Sequence, residues 1–268
     1  MARFIEVTQA DDPGVDDFRD LSNADRRPDR PGGRGLVIAE GVAVVERLIA
    51  SPYPVRALLG VRRRIDQLAE SIDDLDVPAY VADPDVMARV VGFHLNRGVL
   101  AVADRTPPVD LARMASSARR LAVLEGVGDH ENLGSLFRNA AAFGIDGVLL
   151  GPGCSDPLYR RSIRVSMGHV LRVPFARLPE WPGDLKWLRH EGFRVVALTP
   201  RTASPVSLRE AGLERGRVAM LLGSEGPGLT EEAIGAADVA AGIPMADGVD
   251  SLNVATSAAI AFHAAGGC

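Results

Sequence analysis

Leu121-Ala-Val-Leu-Glu125-Gly-Val-Gly-Asp-His-Glu-Asn132-Leu-Gly-Ser-Leu-Phe-Arg138-Asn139-Ala-Ala-Ala-Phe-Gly144-Ile-Asp-Gly147-Val-Leu-Leu150 decides how the chain folds. Two apolar runs, Leu121 to Glu125 and Gly147 to Leu150, flank a segment of helical period from Asn132 to Phe143. Runs apolar on both faces belong to buried strands, and a helix between two of them makes a parallel crossover. The alternation continues with a helix from about Asp156, strands Arg194 to Leu198, Val218 to Leu222 and Val239 to Ile243, and a closing helix from Leu252. The expected fold class is α/β, with a parallel sheet covered by helices on both faces.

Upstream, Leu36 to Ala39, Val55 to Gly60, Ala79 to Ala82 and Gly98 to Ala103 read as strands with helices between them. Asp83-Pro84 reads as a helix start, the Asp side chain accepting orphan N–H groups and the proline filling the first turn. Thr106-Pro-Pro108 breaks the pattern and marks a domain boundary. The first 35 residues, with Asn23-Ala-Asp-Arg-Arg-Pro-Asp-Arg-Pro-Gly-Gly33, hold too little apolar content for a packed element. The expected division is a mobile arm over 1–35, a small domain over 36–107 and a larger one over 115–268.

The composition narrows the function. A chain of 268 residues with 47% hydrophobic content and mean hydropathy +0.07 can bury a core. Thirty basic against thirty-five acidic residues exclude a polycation that grips nucleic acid by bulk field, so any such contact is local. No apolar run approaches the roughly 20 residues that span a bilayer, and the start lacks a signal-peptide layout, which predicts a cytoplasmic protein. Two cysteines, Cys154 and Cys268, make neither a disulfide framework nor a four-ligand zinc site, and no metal is expected.

In a parallel α/β sheet chemistry gathers at loops beyond the carboxyl ends of strands. Three glycine-bearing loops stand there: Gly126 to Asn132, Leu222-Gly-Ser-Glu-Gly-Pro-Gly-Leu229, and Ile243-Pro-Met-Ala-Asp-Gly-Val-Asp-Ser251-Leu-Asn253. Gly126-Val-Gly128 alone suggests a dinucleotide turn, as in an oxidoreductase, or a Rossmann-type methyl-donor turn, but the third glycine is missing and no acid ends the next strand. Spacing alone leaves Asn132 as a helix cap, Arg138 as a solvated arginine, Glu225 as a turn acid, and Ser251 and Asn253 as caps of the last helix.

In combination the three loops resemble the SpoU (TrmH-type) branch of the SPOUT RNA methyltransferases. The resemblance rests on Asn132-Leu-Gly134 with Arg138, on Gly223-Ser-Glu-Gly-Pro-Gly-Leu229, and on Ile243-Pro-Met245 with Ser251-Leu-Asn-Val-Ala255. Arg164-Val-Ser166-Met-Gly168 matches the family's Ser-x-Gly segment, while Asn139 stands where many relatives have Thr. The likeness covers roughly 118–265. It implies a deep trefoil knot in the C-terminal domain, preceded by an L30e-like α/β domain suggested by Leu36-Val-Ile-Ala-Glu-Gly41. It implies S-adenosylmethionine (AdoMet) as cofactor, held by Leu198, Thr199, Gly223, Ile243, Met245 and Leu252. It further implies methyl transfer to an RNA ribose 2′-hydroxyl by Arg138, Asn132, Glu225, Ser251 and Asn253, in a homodimer acting on ribosomal RNA, with transfer RNA and a silent RNA-binding paralogue as alternatives.

The RNA surface has its own signal. Residues 157–179 contain Arg160, Arg161, Arg164, Arg172 and Arg177 and no acid, and Arg62-Arg63-Arg64 forms a second basic cluster. Both are expected to meet phosphate, with a solvated helix face as the other reading of the first.

Overall fold

The computed structural model describes residues 2–21, 35–200 and 206–266. The chain divides into two units, Met1–Pro107 with Asp156–Arg172, and Pro108–Ser155 with Val173–Cys268.

The first unit is built on β1 (Arg3–Val7), β2 (Leu36–Glu40), α1 (Val42–Ile49), β3 (Val55–Gly60), α2 (Arg62–Gln67), α3 (Ala69–Ile72), β4 (Pro78–Ala82), α4 (Pro84–Val91) and β5 (Val99–Asp104). Its sheet runs β1-β4-β3-β5-β2, parallel between β1, β4 and β3 and antiparallel from β3 to β5 to β2. The arm expected over 1–35 is corrected for residues 3–21. β1 adds to the sheet edge on β4, and Val15, Phe18 and Leu21 are buried against Leu59, Val90 and Leu100. The ladder to β4 and three apolar side chains suffice to order a segment whose composition is mostly polar. The Asn23–Gly33 stretch lies outside the described residues. Asp83 does precede α4, but its side chain makes no capping bond; the fixed φ of Pro84 sets the helix start.

The second unit opens with α5 (Leu111–Ser117), β6 (Arg120–Glu125), α6 (His130–Ala142) and β7 (Gly147–Leu150). The chain then contributes α7 (Arg160–Val165) to the first unit before returning with β8 (Phe175–Arg177), α8 (Gly183–His190), β9 (Arg194–Leu198), β10 (Val206–Ser207), β11 (Val218–Gly223), α9 (Glu231–Ala236), β12 (Val239–Gly242) and α10 (Val254–Ala264). Residues 156–172 therefore belong with the front unit, not with the larger domain expected over 115–268. Asp156 pairs with Arg105, and the Arg47 guanidinium donates to the Met167 carbonyl.

The seven strands of the second unit run in the order β10-β12-β9-β11-β6-β7-β8, and every pairing is parallel. The central strands are buried along their length: Leu121 to Leu124 and Val218 to Leu221 are at most 1% exposed. One face packs against α5, α8 and α9 through Met114, Leu185, Leu188 and Ala233. On the other, α10 packs on α6, where Asn139 donates its side-chain amide to the Ala255 carbonyl at 2.8 Å. α10 is rich in alanine, which permits close helix approach and keeps helix propensity high. These layers fix the carboxyl ends of β6, β9, β11 and β12 as a common platform for the glycine loops.

Candidate active site

A cleft of about 700 Å³ opens at the carboxyl ends of β9, β11 and β12. Leu198, Thr199, Gly223, Ile243, Met245 and Leu252 all line it, as do Glu225, Ser251 and Asn253. Loops far apart in sequence thus make one wall. Leu198, Ile243, Met245 and Leu252 give it apolar surface, and the turn from Gly223 to Gly228 adds backbone polar groups. Such a cavity falls within the roughly 300–1,000 Å³ of small-molecule sites.

Gly223 is needed for a reason the sequence did not reveal. The loop folds back on itself, Gly228 N–H donating to the Ser224 carbonyl at 3.2 Å, and a Cβ at 223 would lie 2.4 Å from the Gly228 carbonyl carbon and the Leu229 nitrogen. The steric limit is the loop's own backbone, not left-handed φ.

The polar mouth of the cleft centres on Asn253. Its Oδ1 accepts from the Ala255 and Thr256 N–H groups and so caps α10. Its Nδ2 donates to Asn132 Oδ1 at 2.8 Å and to Glu225 Oε1 at 2.5 Å. One amide therefore joins a residue from each of the three glycine loops. Asn132 is not itself a cap: Asp129 holds that place, accepting from the Glu131 and Asn132 N–H groups at 2.8 Å, and the helix begins at His130. Relieved of capping, the Asn132 side chain turns to Asn253. Arg138 stands apart. It is exposed, absent from the cleft wall, and roughly 120° round α6 from Asn132.

Glu125 was missed by sequence reasoning. This carboxylate ends β6, is 5% exposed, and accepts hydrogen bonds from Trp181 and Thr230. An acid closing an otherwise apolar strand was the available signal. Cys154 is buried, and desolvation pushes its thiol up, leaving it a poor nucleophile at neutral pH.

The basic residues divide. Arg160 is not the unpaired charge that its acid-free neighbourhood suggested: it faces Glu40 at 3.6 Å and covers the Phe93 ring at 4.5 Å. Burial lowers its pKa despite the attraction of Glu40. Arg161 is exposed yet engaged within the structure. Arg62 pairs with Glu6, and Arg64 donates to Gln67 at 2.9 Å. Arg63 and Arg172 are exposed, while Arg164 is half-buried. Arg177 is exposed too and reaches the Cys154 carbonyl only at 3.5 Å. Among the described residues no cluster of His, Cys, Asp and Glu is arranged to hold a metal, and no helix is long and apolar enough to cross a membrane.

A seven-stranded parallel α/β unit with a ligand-sized cleft at the carboxyl ends of its strands puts a small-molecule site where such sheets bind ligands. The sequence pattern of the SpoU rRNA Methylase family matches residues 119–263, and the chain belongs to that family. It is 54% identical over 259 residues to an uncharacterized tRNA/rRNA methyltransferase of Mycobacterium tuberculosis, covering 96% of this chain and 90% of that one. It is 27% identical over 230 residues to the 23S rRNA (guanosine(2553)-2'-O)-methyltransferase RlmP of Bacillus subtilis, covering 84% and 86%. Among solved structures, the AdoMet-bound rRNA methyltransferase of Sinorhizobium meliloti superposes with a TM-score of 0.80 at 26% identity, covering 98% and 97%.

Proposed function

We propose that the chain is an AdoMet-dependent RNA ribose 2′-O-methyltransferase acting on ribosomal RNA. The observation that carries this reading is the Asn253 amide, which joins Asn132 and Glu225 at the mouth of a cleft bounded by the family's motifs. The relatives add weight, one named for AdoMet and rRNA and another for 2′-O transfer to 23S rRNA. In this reading the C-terminal chain forms a deep trefoil knot, a rare departure from unknotted topology. The front unit is an L30e-like RNA-binding domain, and two copies form a homodimer. Arg63, Arg164 and Arg172 are the better candidates for phosphate contact, since Arg160 and Arg62 are already paired.

The residues fit AdoMet. Leu198, Ile243, Met245 and Leu252 offer apolar surface to an adenine ring, and the Gly223 turn offers backbone groups to its edge. When bound, AdoMet supplies an electrophilic methyl group on sulfonium. The nucleophile is a ribose hydroxyl too weakly acidic to ionise at neutral pH, so its orientation and proton matter. A guanidinium keeps its proton in water and is a poor proton acceptor. Arg138 lies outside its own chain's cleft wall, so in the homodimer it completes the second copy's cleft, positioning the 2′-hydroxyl and its neighbouring phosphate while the proton leaves to phosphate or solvent. Asn132 and Ser251 border the ribose. Glu225 and Asn253 hold the mouth in shape.

Tritium-labelled AdoMet with total RNA tests the activity. Arg138→Ala should cut transfer by about 100-fold or more with AdoMet affinity changed less than about threefold, because its role lies with substrate and transition state. A variant that keeps most of its turnover removes Arg138 from the site.

A further inference from the structure

Glu125 has no part in the motifs that carry the family resemblance, yet its carboxylate is fully bonded beside the cleft. In the parallel ladder it sits opposite Gly223, where β11 gives way to the glycine turn. Its Oε1 accepts from Trp181 Nε1–H and from the Thr230 hydroxyl, both at 2.8 Å, and its Oε2 accepts from the Thr230 N–H at 2.9 Å. Thr230 is where the turn ends. It caps α9, its Oγ1 accepting from the Ala233 N–H at 3.2 Å. The turn from Gly223 to Leu229 is therefore fixed at both ends beside one carboxylate: at Gly223 by the β6–β11 ladder and at Thr230 by the bonds to Glu125.

We propose that Glu125 is a positioning residue for cofactor binding: it clamps Thr230 so that the Gly223–Leu229 turn keeps the shape of its side of the cleft. The proposal rests on the reading of that cleft as the AdoMet site. A carboxylate suits the task because it is purely an acceptor, and each of its three partners is a donor. Glutamine would match it in size but must turn its NH₂ toward at least one of those donors. The turn would then lose a tether while the strand and its packing remain. Within the turn, Gly228 N–H bonds back to the Ser224 carbonyl, which shapes the loop but does not tie it to β6.

The test is AdoMet affinity by calorimetry for the wild-type chain, Glu125→Gln, Thr230→Ala and Thr230→Ser, each at a temperature where circular dichroism shows it fully folded. Glu125→Gln should weaken AdoMet binding about tenfold or more, as loss of a charge-assisted hydrogen bond allows. Thr230→Ala should weaken it in the same direction, and Thr230→Ser, which keeps the hydroxyl, should restore wild-type affinity. A Glu125→Gln protein that melts earlier but binds AdoMet as the wild type does would overturn the proposal, leaving the carboxylate a structural fixture. If Glu125→Gln does not fold, the Thr230 pair decides on the same terms: equal affinity in Thr230→Ala and wild type overturns it. Failure of the wild-type chain to bind AdoMet would instead strike down the reading of the cleft, and the proposal with it.

Discussion

Two strands, one in each unit, end on Glu followed by Gly, and the two glutamates are held in opposite ways. Glu125 at the end of β6 accepts three hydrogen bonds, and Gly126 turns away with φ 71°. Glu40 at the end of β2 is equally buried, at 6% exposed, and Gly41 turns with φ 92°. Yet its Oε2 has no hydrogen bond, and it faces Arg160 at 3.6 Å, whose Nη1 also lacks one. The same local sequence therefore gives a bonded clamp in one place and a loose ion pair in the other. Strand-end acids are set by local pattern, but what they bond is set by distant residues, and a buried charge pair whose facing atoms make no hydrogen bond adds little net stability.

The sharpest way to break the clamp is from its partner strand. Gly223→Val drives a branched side chain into the Gly228 and Leu229 backbone, which cannot yield as a side chain can. We expect AdoMet binding to be lost and stability to fall by about 3 kcal/mol, in the range of severe core overpacking. A folded Gly223→Val protein with undiminished affinity would place the cofactor elsewhere.

Comparing truncations addresses the glutamates directly. Glu125→Ala strands the Trp181 and Thr230 donors and should cost about 3 kcal/mol in urea unfolding. Replacing Glu40 and Arg160 together by Met removes both charges and should change stability by less than about 1 kcal/mol, since a buried pair is often matched by apolar residues of similar size. Equal losses in the two experiments would erase the distinction between clamp and loose pair.

A smaller effect is expected on RNA binding. Arg63→Ala with Arg172→Ala should lower the salt dependence of RNA affinity, by roughly 0.7 to 0.9 in slope for each phosphate no longer neutralised. Arg160→Met should leave that slope unchanged, because its guanidinium is spent on Glu40 and Phe93.

Much of the second unit was legible because its strands are apolar on both faces and long enough to read, as with Leu121 to Leu124. The cleft was legible because its glycine motifs are contiguous in sequence. Other features were hidden for identifiable reasons. β8 and β10 are three and two residues long, too short for periodicity to show. β1 exposes Phe4 and Ile5 at a sheet edge and buries only Val7, so its composition resembles a tail. Asp129 and Asn132, three positions apart, are both of residue types that cap helices, and only the geometry assigns the cap to the first. The acid-free run around Arg160 looked unpaired because its partners, Glu40 and Phe93, lie far upstream in the chain. That same non-locality hid the transfer of residues 156–172 to the front unit.

The central claim is that this cleft methylates a ribose of ribosomal RNA, and mapping alkali-resistant 2′-O-methyl positions in RNA from a strain lacking the chain tests it most directly. One such position in ribosomal RNA is expected to disappear, to return when the wild-type chain is restored, and to stay absent when Arg138→Ala is supplied instead. An unchanged ribosomal map, or a change confined to transfer RNA or to base methylation, would contradict it.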